Sequence, residues 1–484
     1  MKYIKRDPSL DTVEQVVARN LGLPAGTDAK SVINQWYKNS SGGKYRIPIL
    51  GDIQRLMEDF KDRPVWIFGD YDCDGVCATA ILHTALAIDG FTNVGYLLPE
   101  RSKGYGMSRD MVDLAAGKTG PGLIVTVDNG ITATDAVDYA KRKGFAVIVT
   151  DHHLPQMEGG AKVLPNADLI LDPNAIDGQA DYNGYCGAGL AYRLALQLAG
   201  RKAEGLLPYC TVATCGDQME LREENYVFVR KGLSMINRGI CPLPLKALVE
   251  ANQMEYGHLT ASSLAFRIVP ELNAPGRIDE EEGAALSVGL LLAHNYGYAM
   301  DIARQIVAIN NKRKEMVKEE AKSCMAHLEQ AGRPSAPVVA VDEDAESGIA
   351  GILAAKLQER YHLPAIVFTA DPGNPEFLRG SARSVDGFSM IGMLRACARH
   401  LESFGGHEGA AGIRIKRDKL EHFREAAHAF IWDEMRHLCG DRPITFYGTL
   451  DMNYFRGRET PQVEFAGFEK ESGKRTAVTK EIFG

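Results

Sequence analysis

The sequence lacks the features that would place the protein in a membrane, outside the cell or among zinc proteins. No apolar run approaches the length of a membrane-spanning helix. Residues 1–7 lack the apolar core of a signal peptide. The nine cysteines form no CxxC pair, which favours reduced thiols over disulfides or a zinc site. We therefore expect a cytoplasmic protein.

Nucleotide-binding loops are also missing. There is no Walker phosphate loop, and the chain has neither an internal repeat nor a low-complexity tract. The segment Gly187–Tyr192 resembles a dinucleotide fingerprint, but it lacks the third glycine and follows no strong strand. A helix start or close packing is the favoured interpretation. The formal net charge of −8 argues only weakly against nucleic acid, because a local basic channel can coexist with an acidic exterior.

The chain of 484 residues is too long for one ordinary domain. Its 45% hydrophobic and 24% charged residues are typical of a globular protein. We expect an N-terminal cap segment at 1–45, an α/β domain at 46–293, a connecting long helix at 294–331, a smaller α/β domain at 332–435 and a short tail at 436–484. The tail is too short for a complete five-stranded OB-fold.

Strands and helices alternate between about residues 62 and 175, which predicts a doubly wound, mostly parallel sheet. Apolar residues recur at three, four and seven residue steps between 294 and 331, which predicts the long helix. A second strand–helix–strand pattern follows it, with strands at Val338–Val341 and Ala365–Phe368. The predicted fold class is therefore α/β, with two domains joined by the helix.

Acidic residues follow three apolar stretches of strand character. The motifs are Gly69–Gly75, Asp128–Gly130 and Asp151–His153, and they follow Val65–Phe68, Leu123–Val127 and Ala146–Thr150. The carboxyl ends of parallel strands share one edge, where open α/β folds bind ligands. Five carboxylates and two imidazoles gathered there would repel one another unless cations lay between them. The sequence therefore predicts a metal site.

Asp217 is a fourth acidic position, after the apolar run Tyr209–Ala213. A single Asp-Gly turn is usually only a turn, but three acidic strand ends with two histidines make that interpretation unattractive. Oxygen ligands with one or two imidazoles suit Mn²⁺ or Mg²⁺. We interpret Cys73 and Cys77, which flank the first motif, as small packing residues.

These motifs, in this order, resemble those of the DHH phosphoesterase superfamily. Within it, further segments resemble the single-strand-specific 5′→3′ DNA exonucleases: Arg101–Gly106, Phe266–Arg277, Gly380–Ser384 and Phe404–His407. The resemblance covers roughly residues 50–430. It implies a DHH catalytic domain, a DHH-associated substrate-binding domain and hydrolysis of phosphodiester bonds with two divalent cations, Mn²⁺ or Mg²⁺.

The resemblance also implies roles for individual residues. Asp128 would bridge the ions; Asp74, His152 and Asp217 would complete one site, and Asp72, together with Asp70, the other. His153 would face the scissile phosphate. Arg101, Ser381 and Arg383 would hold a 5′-terminal phosphate, Arg277 and His407 would contact the region of the scissile bond, and Asn273 would bind the substrate. At Gly405 and Gly406, which lack a Cβ, the backbone could come close to a phosphate. Tyr105 would stack on a base or simply pack, and Arg101 alone could equally be solvated.

One departure from the family pattern concerns the neighbours of Asp217, where Gln218 and Met219 replace the usual small residues and proline. The short tail leaves processive binding of long DNA strands in doubt.

The alternative functions are a DHH phosphoesterase of short oligonucleotides or nucleotide phosphates, and a catalytically inactive replication scaffold. A scaffold would have lost acidic ligands, and all are present. The resemblance implies a role in DNA repair or recombination, with single-stranded nucleic acid, DNA above all, and a single-strand-binding protein or helicase as partners. We expect the protein to be a monomer.

Overall fold

A computed structural model describes residues 18, 23–24, 26–100, 106–278, 283–330, 336–385, 387–439, 445–455, 458–469 and 475–476. The chain divides into two compact units, Met1–Asn311 and Lys312–Gly484. The predicted α/β fold class is confirmed by a parallel sheet in the first unit and a second, mixed sheet in the other. No helix among these residues is long and apolar enough to cross a membrane.

The first unit is built on a five-stranded parallel sheet in the order β2-β1-β3-β4-β7. The elements up to the last strand of this sheet are α1 (Ala29–Ser41), α2 (Leu50–Glu58), β1 (Val65–Phe68), α3 (Cys73–Ile88), β2 (Val94–Leu97), α4 (Arg109–Thr119), β3 (Leu123–Val127), α5 (Thr134–Arg142), β4 (Ala146–Thr150), β5 (Gln156–Glu158), β6 (Ala161–Val163) and β7 (Leu169–Leu171). Strands β5 and β6 form a separate antiparallel hairpin. Every residue of β1 and β3 is buried, as expected for central parallel strands covered on both faces.

Helices complete this unit. They are α6 (Gly187–Ala199), α7 (Leu207–Gly216), α8 (Glu223–Asn237), α9 (Leu243–Ala251), α10 (Ala261–Ser263), a π-helix (Leu264–Ile268), α11 (Val269–Asn273), α12 (Pro275–Ile278) and α13 (Ala284–Leu291), with a 3₁₀ turn at Gly200–Leu206. Helix α3 is buried along most of its length and packs against α6 and α7. This packing fixes the first turn of α3, which carries the first acidic motif.

The long helix α14 (Tyr296–Gln330) confirms the predicted connecting helix, and it spans the division between the units. The second unit contains β8 (Val338–Val341), α15 (Ala350–Tyr361), β9 (Ala365–Ala370), β10 (Phe377–Arg383), α16 (Met390–Ala396), β11 (Ser403–Gly406), β12 (Ala410–Lys416) and α17 (Leu420–Cys439), with 3₁₀ turns at Ser347–Ile349, Ala398–His400 and Arg417–Lys419. Its sheet has the order β11-β12-β10-β9-β8, with only β8 and β9 parallel.

The described residues of the tail form three antiparallel strands, β13 (Thr445–Phe455), β14 (Arg458–Glu469) and β15 (Arg475–Thr476).

Candidate metal centre

The acidic motifs meet where the strand order of the parallel sheet reverses. Strands β1 and β3 are central neighbours, and β2 and β4 lie on their outer sides. A reversal of this kind opens a crevice at the carboxyl ends of the strands, and open α/β sheets bind ligands there. The residues after β1, β3 and β4 therefore share one edge, as the sequence predicted.

One group of possible metal ligands consists of Asp74, His152 and Asp217, whose ligand atoms all lie within 4.8 Å of one another. His152 Nε2 is 3.6 Å from Asp74 Oδ2 and 3.8 Å from Asp217 Oδ2. Asp217 directly follows helix α7 rather than a strand, so it reaches the sheet edge from the helical layer.

A second group consists of Asp70, Asp72 and Asp128, also within 4.8 Å. Asp72 is the N-cap of α3, where its Oδ1 accepts hydrogen bonds from the N–H groups of Asp74 (3.0 Å) and Gly75 (3.2 Å). Because the chain turns into a helix between Asp72 and Asp74, the two carboxylates diverge into different groups.

Asp128 connects the two groups. Its Oδ1 lies 3.1 Å from His152 Nε2, and Asp128, His152 and His153 form a third set of adjacent ligand atoms. Asp128 has a left-handed backbone with φ of 63°, which aspartate tolerates better than most residues. Asn129 supports this turn, since its Nδ2 donates to the carbonyls of Phe68 and Val127, both at 2.9 Å.

His152 and His153 differ in their surroundings. His152 is largely buried, whereas the side chain of His153 is 43% exposed. His153 Nδ1 lies 2.7 Å from Oδ1 of the buried Asp151. The other carboxylate oxygen of Asp151 accepts from the Ile131 N–H at 2.9 Å, so the imidazole is held by a fixed group.

The electrostatics of the cluster match a site for cations. Burial raises the pKa of Asp128 well above its ordinary value, and the charges of Asp74, Asp72 and Asp70 raise it further. Burial, followed by the charges of Asp74 and Asp72, raises the pKa of Asp217 to about 8. Carboxylate oxygens with an imidazole are ligands that Mn²⁺ and Mg²⁺ accept. The residues present therefore fit two divalent cations, which would remove the repulsion between the carboxylates.

Three contacts around the cluster are not predicted by the sequence motifs. The first is the contact of Asp151 with His153. The backbone of Gly187 and Ala188 contacts Asp74, at a segment for which the sequence indicated only a helix start or close packing. The side chain of Asn273 accepts a hydrogen bond from the Cys73 N–H at 2.6 Å, so it holds the metal-proximal turn, a role that the motif resemblance did not suggest.

Of the remaining predicted site residues in the first unit, the structure describes Arg277 but not Arg101 or Tyr105. Arg277 lies in α12, and a Cβ on the neighbouring Gly276 would come within 2.9 Å of the Tyr71 carbonyl oxygen. This segment therefore packs directly against the first acidic motif. Arg101 and Tyr105 lie outside the described residues. Cys73 and Cys77 are buried, in agreement with packing roles.

In the second unit, Ser381 and Arg383 lie on β10. Because their sequence separation is two, both project from the same face of the sheet. Gly405 and Gly406 lie on β11, and His407 begins the turn to β12 with its N–H donating to the Ala410 carbonyl at 2.8 Å. The sheet register pairs Ser381 with Gly412 and Gly412 with Gly405. Ser381 and Gly405 are therefore brought into the same row of this sheet.

Gly406 has its own structural requirement for glycine. Its φ is 143°, and a Cβ there would lie 2.3 Å from the Ala410 carbonyl oxygen. A Cβ on Gly405 would meet nothing within 4 Å. The packing of the sheet therefore explains why residue 406 is glycine. For Gly405 there is no such constraint, and the close approach of a ligand would explain the glycine there.

Comparison with known proteins identifies the family. Residues 64–216 match the DHH family, N-terminal domain, and residues 335–433 match the DHHA1 domain. The single-stranded-DNA-specific exonuclease RecJ of Dickeya dadantii is 34% identical over 407 residues, which cover 78% of this chain and 69% of that protein. The chain belongs to the RecJ family of DHH proteins. RecJ of Haemophilus influenzae is 33% identical, covering 83% of the chain and 72% of the relative.

The chain matches 64% of the length of RecJ from Escherichia coli, at 35% identity, so it spans a little under two thirds of that relative. Among solved structures, exonuclease RecJ bound to manganese is 27% identical with a TM-score of 0.64, covering 79% of this chain and 94% of that chain. The structure of Thermus thermophilus RecJ in complex with Mn²⁺ shares the fold at a TM-score of 0.68 and 22% identity, covering 87% and 71%. This chain therefore shares the fold of these RecJ structures over 79% and 87% of its length.

Proposed function

We propose that the protein is a metal-dependent 5′→3′ exonuclease that hydrolyses phosphodiester bonds of single-stranded DNA with two divalent cations, Mn²⁺ or Mg²⁺. The observation that carries this proposal is the pair of ligand groups joined at Asp128 and His152. The relatives named single-stranded-DNA-specific exonuclease support the substrate, and the manganese-bound RecJ structure supports the metal.

The ligand roles follow from the two groups. Asp74, His152 and Asp217 would hold one cation, Asp70 and Asp72 the other, and Asp128 would contact both. When bound, two such cations would supply charge neutralisation at the phosphate and activation of water for hydrolysis. His152 must stay neutral to serve as a ligand, and burial favours this by lowering its pKa.

His153 is the residue that we propose faces the scissile phosphate. Its side chain is 43% exposed, more than that of His152, and a substrate could therefore reach it. Burial alone would lower its pKa, but the hydrogen bond and charge of Asp151 outweigh that effect and raise the pKa to about 9. A protonated imidazole beside a phosphoryl oxygen donates a charge-assisted hydrogen bond and stabilises negative charge that develops there.

We propose that the second unit binds the 5′ end of the DNA strand. Ser381 and Arg383 would bind the 5′-terminal phosphate, because a guanidinium matches phosphate in a bidentate fork. Gly405 would allow the DNA strand to approach the sheet closely, and Gly406 would hold the adjacent turn. Arg277 and His407 would contact the region of the scissile bond, and Asn273 would bind the substrate. Arg101 and Tyr105 complete the proposal from the family motifs alone.

Several wider assignments rest on the family. We propose a DHH catalytic domain at 46–293 and a DHH-associated domain at 332–435, with the cap at 1–45, the helix at 294–331 and the tail at 436–484 as their flanks. A role in DNA repair or recombination in the cytoplasm, with a single-strand-binding protein or helicase as partner, is likewise proposed.

The test is Mn²⁺-dependent digestion of 3′-labelled and 5′-labelled single strands, with and without a 5′ phosphate. Release of mononucleotides first from the 5′ end is the expected result. Strands with a blocked 5′ end are the matched control and should resist digestion. Digestion confined to di- or trinucleotides would contradict the proposal and support the alternative, a phosphoesterase of short oligonucleotides.

A further inference from the structure

The first turn of α6 lies against the acidic cluster. The N–H groups of Gly187 and Ala188 donate to the two oxygens of Asp74, to Oδ2 at 2.6 Å and to Oδ1 at 2.8 Å. The first N–H groups of a helix have no partner within the helix and carry a partial positive charge, so they favour a carboxylate. Cys186, the N-cap residue, makes no side-chain cap. Asp74 therefore takes the place of the capping side chain from 113 residues away in sequence.

The same turn touches Asp128. A Cβ built on Gly187 would lie 2.4 Å from the Asp128 Cβ and 2.7 Å from both its Cγ and its Oδ1. The φ angle of Gly187 is not positive. Its backbone conformation therefore does not require glycine, whereas the space beside Asp128 does.

These two contacts join the two ligand groups. Asp74 belongs to the group with His152 and Asp217, and Asp128 to the group with Asp70 and Asp72. Helix α6 is fixed in the core by its packing against both α3 and α7. A shift of its first turn would thus move one carboxylate of each group.

We propose that Gly187 and Ala188 are positioning residues, which hold Asp74 and Asp128 at the spacing that two divalent cations need before any cation binds. This inference rests on the proposed two-cation function and goes beyond it by assigning the preorganisation of the site to one helix terminus. The competing explanation is close helix packing with no effect on metal affinity. The two explanations differ in what a single added methyl group changes.

Gly187→Ala is the test variant and Gly189→Ala its matched control. Both glycines are buried in the same helix, but a Cβ on Gly189 would meet only the Tyr185 side chain, at 3.3 Å or more, and Cys186 Sγ. The measurements are Mn²⁺ binding to the metal-free full-length protein by isothermal titration calorimetry and thermal unfolding in chelator. Neither measurement depends on catalysis.

The expected result is a loss of Mn²⁺ affinity of about tenfold or more in Gly187→Ala, which is the usual scale for residues that orient metal ligands. Gly189→Ala should bind Mn²⁺ within about twofold of the unchanged protein. Unchanged Mn²⁺ affinity in Gly187→Ala would overturn the proposal, as would an equal loss in both variants.

A second measurement covers the case in which Gly187→Ala does not fold. In the unchanged, metal-free protein, the amides of Gly187 and Ala188 should already be protected from hydrogen exchange. Protection that arises only after Mn²⁺ is added would show that the contact to Asp74 is not preformed, and would overturn the inference. If Mn²⁺ binds as expected but single strands are not degraded, the proposed function fails while the positioning role stands.

Discussion

Asp128 and His152, which follow neighbouring parallel strands, meet with 3.1 Å between Oδ1 and Nε2. The register of β3 and β4 sets this contact, because Val127 pairs with Thr150 and the Asp128 N–H donates to the Thr150 carbonyl. Asp128 also lies beside Asp70 and Asp72. A single carboxylate therefore stands at the junction of the two ligand groups, and its replacement gives the sharpest test of the centre.

Asp128→Asn should lower exonuclease activity by about a thousandfold, because an amide does not supply the charge that two cations share. Asparagine keeps the volume and tolerates the left-handed backbone, so the protein should fold. In chelator the variant should be at least as resistant to urea, because a buried carboxyl group that faces four other carboxylates is replaced by a neutral amide. The exposed Asp110→Asn is the control for both assays. Normal turnover in Asp128→Asn would contradict the two-cation assignment.

The acidic motifs could be predicted because each combines a short apolar strand with the polar residues that immediately follow it. The family resemblance also implied that Asp72 and Asp74 belong to different groups, but their spacing alone does not give this division, since it depends on where helix α3 begins. Local sequence patterns also do not predict contacts between residues that are distant in the sequence. Asn273 reaches the Cys73 N–H from 200 residues away, and nothing local to either residue indicates it.

Asn273→Ala should lower the affinity for Mn²⁺, and it should raise KM for single-stranded DNA by a smaller factor. The lost acceptor leaves the Cys73 N–H without its 2.6 Å hydrogen bond, between the proposed ligands Asp72 and Asp74. A loss of Mn²⁺ affinity of about tenfold is expected for a support of this kind. The measurements are a Mn²⁺ titration and steady-state kinetics at saturating Mn²⁺. A raised KM with unchanged Mn²⁺ affinity would instead favour direct contact with the substrate.

Glu224→Ala should destabilise the first unit without changing Mn²⁺ affinity. Glu224 is buried and accepts from Arg193 Nη1 at 2.8 Å on both oxygens, as well as from Tyr185 and Ser40. Removing one partner leaves a largely buried guanidinium uncompensated, at a cost of about 3–5 kcal/mol. Urea unfolding in chelator measures this cost. Glu315→Ala, which breaks an exposed pair with Lys318, should change stability by less than about 0.5 kcal/mol.

Gly351→Val should reproduce the effect of Arg383→Ala on the 5′-phosphate preference. A Cβ at residue 351 would lie 2.8 Å from Arg383 Nη2. The added side chain therefore displaces the guanidinium, and because that atom is the flexible end of a long side chain the cost in stability should be small. We expect both variants to lose most of the preference for 5′-phosphorylated over 5′-hydroxyl strands, while kcat on 5′-hydroxyl strands stays within about threefold. The exposed Arg395→Ala is the control and should keep the preference. If Arg383→Ala removes the preference and Gly351→Val does not, the guanidinium position described for Arg383 is not the one that binds phosphate; if neither removes it, the 5′-phosphate site lies elsewhere.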